Sequence, residues 1–366
     1  MHSPCPPHTA DARTLPRTFS HTHPVTDEAE TQRHLDGIFT GGPIVDKDIN
    51  RRVELLHMQF STYAATVPFG LWGPGLAISP EMRGMTEALL PLHGIRRAFR
   101  RLLSRTLHLP FSFDGTPLQT SASWLDCLER LDSPFQEVNP SRLLARLAAD
   151  GNLRQQFLFS LLVPRRHGAS FDRYPGQSAF LQRWLKEQQF SRPLRCLDAA
   201  CGAGEGTYGL ARLLLNAGFA PQSFCIRGTS REPLEIFTAV HGCFPHDPPR
   251  QETCRRFRAE LGTAGALDAI SFAVEDLTDA GTGKRYDIII CNGILGGPFV
   301  NRREALRRVV AELAHRLSPG GMLLAADRFH HGWKRLAPPE LHAEILAEAG
   351  LSVMPAGEGL AGIKSG

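Results

Sequence analysis

Three glycines spaced two apart, Gly202, Gly204 and Gly206, separate an apolar run from an amphipathic one in Leu197-Asp-Ala-Ala-Cys-Gly-Ala-Gly-Glu-Gly-Thr-Tyr-Gly-Leu-Ala211. The pattern predicts a buried strand over 193–200, a turn over 201–206 and a helix over 207–216. Glycine lacks a Cβ, so such a turn takes backbone angles closed to other residues and lets a ligand approach the main chain. The ligand then meets the unsatisfied amides that open the following helix. Dinucleotide sites use a similar turn, but with the third glycine three positions after the second. Here the spacing is even, Asp198 precedes the turn and Glu205 stands inside it. A carboxylate is poorly placed beside a pyrophosphate and well placed beside the ammonium and sulfonium of S-adenosylmethionine (SAM), which makes SAM the expected cofactor. Cys201, Gly202, Gly204 and Glu205 are expected around its methionine half. Asp198 is expected to order the turn or meet the ligand's amino group. The competing reading is a structural strand–helix turn with no ligand.

The elements that must position these residues follow from periodicity. From about residue 191, short apolar runs alternate with helical patterns, the signature of a parallel sheet with helices on both faces. Strands are predicted over 193–200, 223–228, 270–274, 286–291 and 322–326. The run Tyr286-Asp-Ile-Ile-Ile-Cys291 is almost wholly apolar, as a central parallel strand is. Helices are predicted over 207–216, 232–240, 250–261, 302–317 and 339–349, the last carrying His342 and Glu344 outward. Residues 351–354 and 360–363 are expected to close the sheet with an antiparallel edge strand. The fold class is therefore α/β, a Rossmann-like sheet in residues 163–366. Residues 35–162 read as a mainly helical N-terminal region that helps cover the site, with helical patterns over 48–60, 81–103 and 141–162. Residues 1–34, rich in Pro, His and Thr, read as a disordered tail.

Ligands of an open parallel sheet lie at the carboxyl ends of its strands. At those ends stand Ser230 and Glu232 after the second strand, Asp276 and Leu277 after the third, and Asn292 after the fourth. A carboxylate after the second strand commonly holds ribose hydroxyls. Glu232 is the candidate, against a plain helix-start glutamate favoured by the dipole. Asp276 is expected at the adenine amino group, with a surface-loop carboxylate as the alternative. Asn292 is expected where methyl donor and acceptor meet.

The pattern Cys201-x-x-Gly204-Glu205-x-x-Tyr208-x-Leu210-Ala211 resembles the first SAM motif of the CheR-type chemotaxis-receptor methyltransferases. Upstream, Ser170-Phe171-Asp172-Arg173-Tyr174-Pro175 is similar to that family's Thr/Ser-x-Phe-Phe-Arg-Asp motif, with Asp172 where a second aromatic is usual. Glu275-Asp276-Leu277, the 286–292 run and Leu317-Ser-Pro-Gly-Gly321 follow in the family's order. The resemblance covers residues 163–327. It implies transfer of a methyl group from SAM to a protein glutamate, with a carboxylate as acceptor. Arg173 would then correspond to the arginine that lies beside the methyl donor and aligns the acidic acceptor through a two-pronged hydrogen bond. The alternative is a structural arginine paired with Asp172 or a neighbouring domain. Three departures stand out. Ser230 replaces the family's Asp, and Gly296 replaces its active-site tyrosine, implying a roomier pocket mouth. The interval 242–268 reads as loop and helix where receptor-tethering members carry a small β insertion. Two further readings stay open: a small-molecule SAM methyltransferase, and a SAM-binding regulatory protein without turnover.

Composition bounds the partners. A formal charge of +4 over 366 residues is small and does not argue for nucleic acid. The cluster Arg96-Arg97-Ala-Phe-Arg100-Arg101 reads as a solvated helix face. The expected partner is an acidic protein or a small-molecule acceptor, with no nucleic acid and no membrane insertion. Eight cysteines are scattered without zinc spacing, His241, Cys243 and His246 match no standard metal site, and no metal is expected. No apolar run reaches about 18 residues. Scattered cysteines and the lack of a signal peptide point to the cytoplasm.

Overall fold

The computed structural model describes residues 23–40, 47–66, 79–164, 170–277, 283–297, 300–327 and 337–366. They divide into two compact units, one of residues 28–164 with 244–248 and one of the remainder. The first unit is helical: α1 (Glu28–Ile38), α2 (Lys47–Thr66), α3 (Pro80–Leu89), α4 (Leu92–Thr106), α5 (Pro117–Thr120), α6 (Trp124–Glu129), α7 (Arg142–Ala149) and α8 (Gly151–Leu162). Leu56, Leu103, Trp124, Leu143 and Phe157 are fully buried in it. The helical stretch expected over 81–103 is divided at Pro91, which has no N–H to continue the ladder. The break expected near Gly151 is made by Asp150, whose carboxylate accepts from the N–H groups of Asn152 and Leu153 at 2.8 and 3.1 Å.

Of the expected tail through residue 34, residues 1–22 lie outside the described residues, and residues 28–34 are corrected to helix. Glu28–Ile38 is helical because Leu35 and Ile38 give it a buried stripe. Val25 is buried, its N–H bonded to Val240 O, and the His23 ring donates to Ile270 O at 2.8 Å.

The second unit runs α9 (Pro175–Glu187), β1 (Leu194–Asp198), α10 (Glu205–Asn216), β2 (Phe224–Ser230), α11 (Pro233–His241), α12 (Pro248–Thr263), β3 (Ile270–Val274), β4 (Tyr286–Ile290), α13 (Arg303–His315), β5 (Leu317–Ala326), α14 (Pro339–Glu348), β6 (Leu351–Ala356) and β7 (Gly359–Lys364). The strands form one sheet in the order β3-β2-β1-β4-β5-β7-β6. Strands β1 to β5 are parallel, whereas β7 runs antiparallel to both β5 and β6. Strand order reverses between β1 and β4, where Asp198 pairs with Ile290, so the ligand crevice opens above that pair. The polar intruder in β4, buried Asp287, is held by the Arg192 guanidinium through two bonds and by the Arg195 N–H. No described helix is long and apolar enough to cross a membrane.

The β6–β7 hairpin positions part of the site. The Glu358 carboxylate at its tip accepts from the N–H groups of Gly176 and Gln177 at 3.0 and 2.8 Å. It thereby caps the start of α9, the helix that follows Arg173.

Candidate active site

The glycine turn joins β1 to α10, and its two left-handed glycines do different things. Gly202 has φ +53°, and a Cβ there would meet nothing within 4 Å. Gly204 has φ +93°, and a Cβ would stand 2.9 Å from Ala239 Cβ and 3.3 Å from the Phe272 ring. Gly204 is thus a packing glycine that brings α10 onto α11 and β3. Only Gly202 faces open space. Gly202→Ala should therefore keep the fold at a cost of about 1–2 kcal/mol for the left-handed residue. Gly204→Ala adds a steric cost of about 1–3 kcal/mol to the same strain. Thermal melts should rank Gly204→Ala well below Gly202→Ala; equal melting temperatures would remove the packing role.

Asp198 ends β1 buried, accepting from the Thr207 hydroxyl at 2.8 Å, and so orders the turn. Burial pushes its pKa up to about 6, against the pull of hydrogen bonds from Thr207 and the Ala200 N–H and of the Arg173 charge. Cys201 is buried at the turn, and burial raises its thiol well above the usual range, so it packs as a small hydrophobe. The buried carboxylate of Glu205 is paired with buried Arg250 of α12, Nε to Oε1 at 2.6 Å.

The exit of β2 shows a residue that sequence reasoning missed. Ser230 donates its hydroxyl to Glu235 Oε2 at 2.6 Å and accepts from the Glu232 N–H at 3.3 Å. Glu232 is the part-exposed cap of α11, its side chain against Arg231 at 3.3 Å, as the helix-start reading has it. The inward carboxylate at this exit is Glu235, one turn further on and buried. The signal in the sequence was a carboxylate in the first turn of the helix that follows β2. Asp276 and Leu277 follow β3 half-buried, Leu277 packing on the core around Leu197 and Cys291.

Asn292 leaves β4 with both ends of its amide hydrogen-bonded. It exchanges two hydrogen bonds with the Gln177 amide, at 2.8 and 3.2 Å, and its Oδ1 accepts the Ala326 N–H at 2.8 Å. It therefore ties the exit of β4 to β5 and α9. Arg173, just ahead of α9, packs its side chain against the loop after β4. A Cβ on Gly293 would be 3.5 Å from both of its Nη atoms, and the guanidinium carbon sits 5.2 Å from the Tyr174 ring centre. Asp172 is exposed.

The roomier mouth expected at Gly296 is corrected. The space beside Gly296 (φ +80°) is filled by the His342 ring, 2.6 Å from where a Cβ would stand. Of the two residues expected to point outward from this helix, only Glu344 does, pairing with Arg303. His330, His331 and Trp333 lie outside the described residues. Among the described residues no group of three His, Cys, Asp or Glu could hold a metal ion.

The donor set fits SAM. Carboxylates of Asp198, Glu205 and Glu235 converge on the glycine turn against Arg250, an excess of negative charge suited to a cationic ligand and hostile to a phosphate. The strand order, with β7 alone reversed against β5, and the turn after β1 define a Rossmann-like SAM-methyltransferase fold.

No protein-family model matches the chain. Over 193 residues, 49% of its length, it is 25% identical to the probable biofilm formation methyltransferase WspC of Pseudomonas putida. The chain spans 44% of that curated relative. Among solved structures, the N-methyltransferase NodS of Bradyrhizobium japonicum in complex with S-adenosyl-l-homocysteine aligns at 16% identity and TM-score 0.37, over 59% of this chain and 99% of NodS. A TehB-like SAM-dependent methyltransferase from Corynebacterium glutamicum aligns at 14% identity and TM-score 0.31, over 52% of this chain and 88% of its own.

Proposed function

We propose that the chain is a SAM-dependent methyltransferase whose acceptor is a carboxylate. The observation that carries this reading is the Arg173 guanidinium against Gly293, on the loop that leaves β4 at the point where strand order reverses. The bound cofactor supplies an electrophilic methyl on a positive sulfur. The protein's own work is then alignment. Arg173 holds the acceptor carboxylate by two parallel hydrogen bonds. Asn292 keeps that loop registered against α9 and β5. No general base is required, because a carboxylate is already ionised at neutral pH. A role for Asp198 at the ligand's ammonium, Asp276 and Leu277 at the adenine, and Glu232 or Glu235 near the ribose belongs to the same proposal.

Incubation with tritiated SAM and a lysate of the source cells tests it. Label on an acidic acceptor that mild base releases as methanol is the expected result. Base-stable label would replace the carboxylate with an amine or phenol. A second reading, a small-molecule acceptor, is favoured by α12 occupying the interval where a receptor-tethering β insertion would stand. Label in the small-molecule fraction would select it. S-adenosylhomocysteine (SAH) binding without label anywhere would leave the regulatory reading.

Asp198 gives the cofactor site a pH signature. An ammonium pairs with the ionised carboxylate, so below the folded pKa of about 6 binding must first release a proton. SAH affinity should therefore rise about tenfold per pH unit below that value and level off above it. Calorimetry from pH 5 to 8 should show this in the wild type and a flat profile in Asp198→Asn. A flat wild-type profile would move the ammonium away from Asp198.

A further inference from the structure

Residues 291–297 leave β4 and carry two nitrogen-bearing side chains against them. Arg173 packs at Gly293; His342, from the first turn of α14, packs at Gly296. A Cβ on residue 296 would lie 2.6 Å from both Cε1 and Nε2 of that ring and 3.4 Å from Ala337 Cβ. With φ at +80° as well, residue 296 has both its backbone and its side-chain space given over to the imidazole. The ring's place is thus built into the chain. Its Nε2 is shielded from solvent and has no hydrogen-bond partner among the described residues. Such a nitrogen is costly to leave unbonded.

We infer that His342 is an acceptor-site residue, its Nε2 hydrogen-bonding a polar group of the methyl acceptor beside the anionic group that Arg173 holds. The inference rests on the methyltransferase reading above and names the second recognition point of its acceptor. That acceptor carries a hydrogen-bonding group close to its methylated carboxylate, as the backbone amide or a neighbouring polar side chain of an acidic peptide does. Burial lowers the His342 pKa, with Asp327 at the end of β5 opposing, which keeps the ring neutral and able to donate or accept.

Three variants of the full chain separate recognition from packing. His342→Phe keeps the ring volume and removes the nitrogens. His342→Gln keeps a polar end. Gly296→Ala pushes the ring out of place. With tritiated SAM and source-cell lysate as the probe, His342→Phe and Gly296→Ala should each lower the initial labelling rate about tenfold or more, the scale of one buried hydrogen bond. His342→Gln should recover a substantial part, and the SAH affinity and melting temperature of the two His342 variants should stay near wild type. Wild-type labelling by His342→Phe would overturn the inference. So would a parallel loss of rate and melting temperature in His342→Phe and His342→Gln, which is the signature of packing. Failure of the wild-type chain itself to label would sink the methyltransferase reading and this inference with it, a result distinct from the other two.

Discussion

Arg250→Ala should lower the stability of the α/β unit by about 3–5 kcal/mol, the scale of breaking a buried ion pair by removing one partner. Glu205 and Arg250 are both buried, with Nε 2.6 Å from Oε1 and a second nitrogen on the same oxygen. Deleting the guanidinium leaves a carboxylate in the core at the head of α10 with its charge uncompensated. The helix dipole there favours a negative charge, but by about 1 kcal/mol or less in an exposed setting. The second change Glu205→Gln should restore most of the loss, because the cost lies in the orphaned charge and not in the missing contact. Thermal or urea unfolding of the single and double variants checks both halves. The same variants separate two roles of Glu205. If it serves only α12, SAH should raise the melting temperature of wild type and Arg250→Ala by equal amounts. If the freed carboxylate can turn to the ligand's ammonium, SAH should rescue Arg250→Ala by more. A wild-type melting temperature in Arg250→Ala would mean that Glu205 is solvated.

The parts of this molecule legible from sequence were those with a period or a punctuation mark. Ile270–Val274 was legible to the residue because Ile270, Phe272 and Val274 alternate with small residues and Glu275-Asp276 end the run. The β1–turn–α10 passage and the antiparallel end of the sheet were legible from glycines and from strand length. The helices Pro117–Thr120 and Trp124–Glu129 were not, since a turn or two carries too few residues for periodicity to register. Within the site, position along a strand exit was readable and pairing was not. That Glu205 meets Arg250 needs α12 to cross the glycine turn, a contact across 45 residues that no local pattern encodes. His342 was read as outward together with Glu344. The vacancy at Gly296 that draws the ring inward lies in another part of the chain. At Gly204 the residue type was legible, while the close approach of Ala239 that it permits was not.

Arg173→Ala should leave SAH affinity within a few-fold of wild type and cut turnover by roughly a hundredfold or more, the scale of losing a charged positioning contact. The separation is expected because the guanidinium lies against Gly293 after β4, where the proposal puts the acceptor, while the proposal gives the cofactor to the glycine turn, Asp198 and Asp276. A small loss of SAH affinity is still expected, since the Arg173 charge is one of the influences that keep Asp198 from being still harder to ionise. Removing it raises the Asp198 pKa and moves the onset of tight binding to higher pH, so affinities should be compared at pH 8, where Asp198 is ionised in both proteins. Arg173→Lys should recover little turnover, because one ammonium cannot reproduce a planar two-pronged donor. A structural arginine would behave otherwise. The segment it belongs to is pinned by Glu358 at the head of α9 and by the Phe171–Phe257 ring stack at 3.8 Å, so losing a structural contact would show as a lower melting temperature, with turnover falling only in proportion. Normal turnover in Arg173→Ala would end the carboxylate-alignment reading. A hundredfold loss that Arg173→Lys fully restores would keep the positive charge but discard the fork, and with it the argument that the acceptor presents two oxygens.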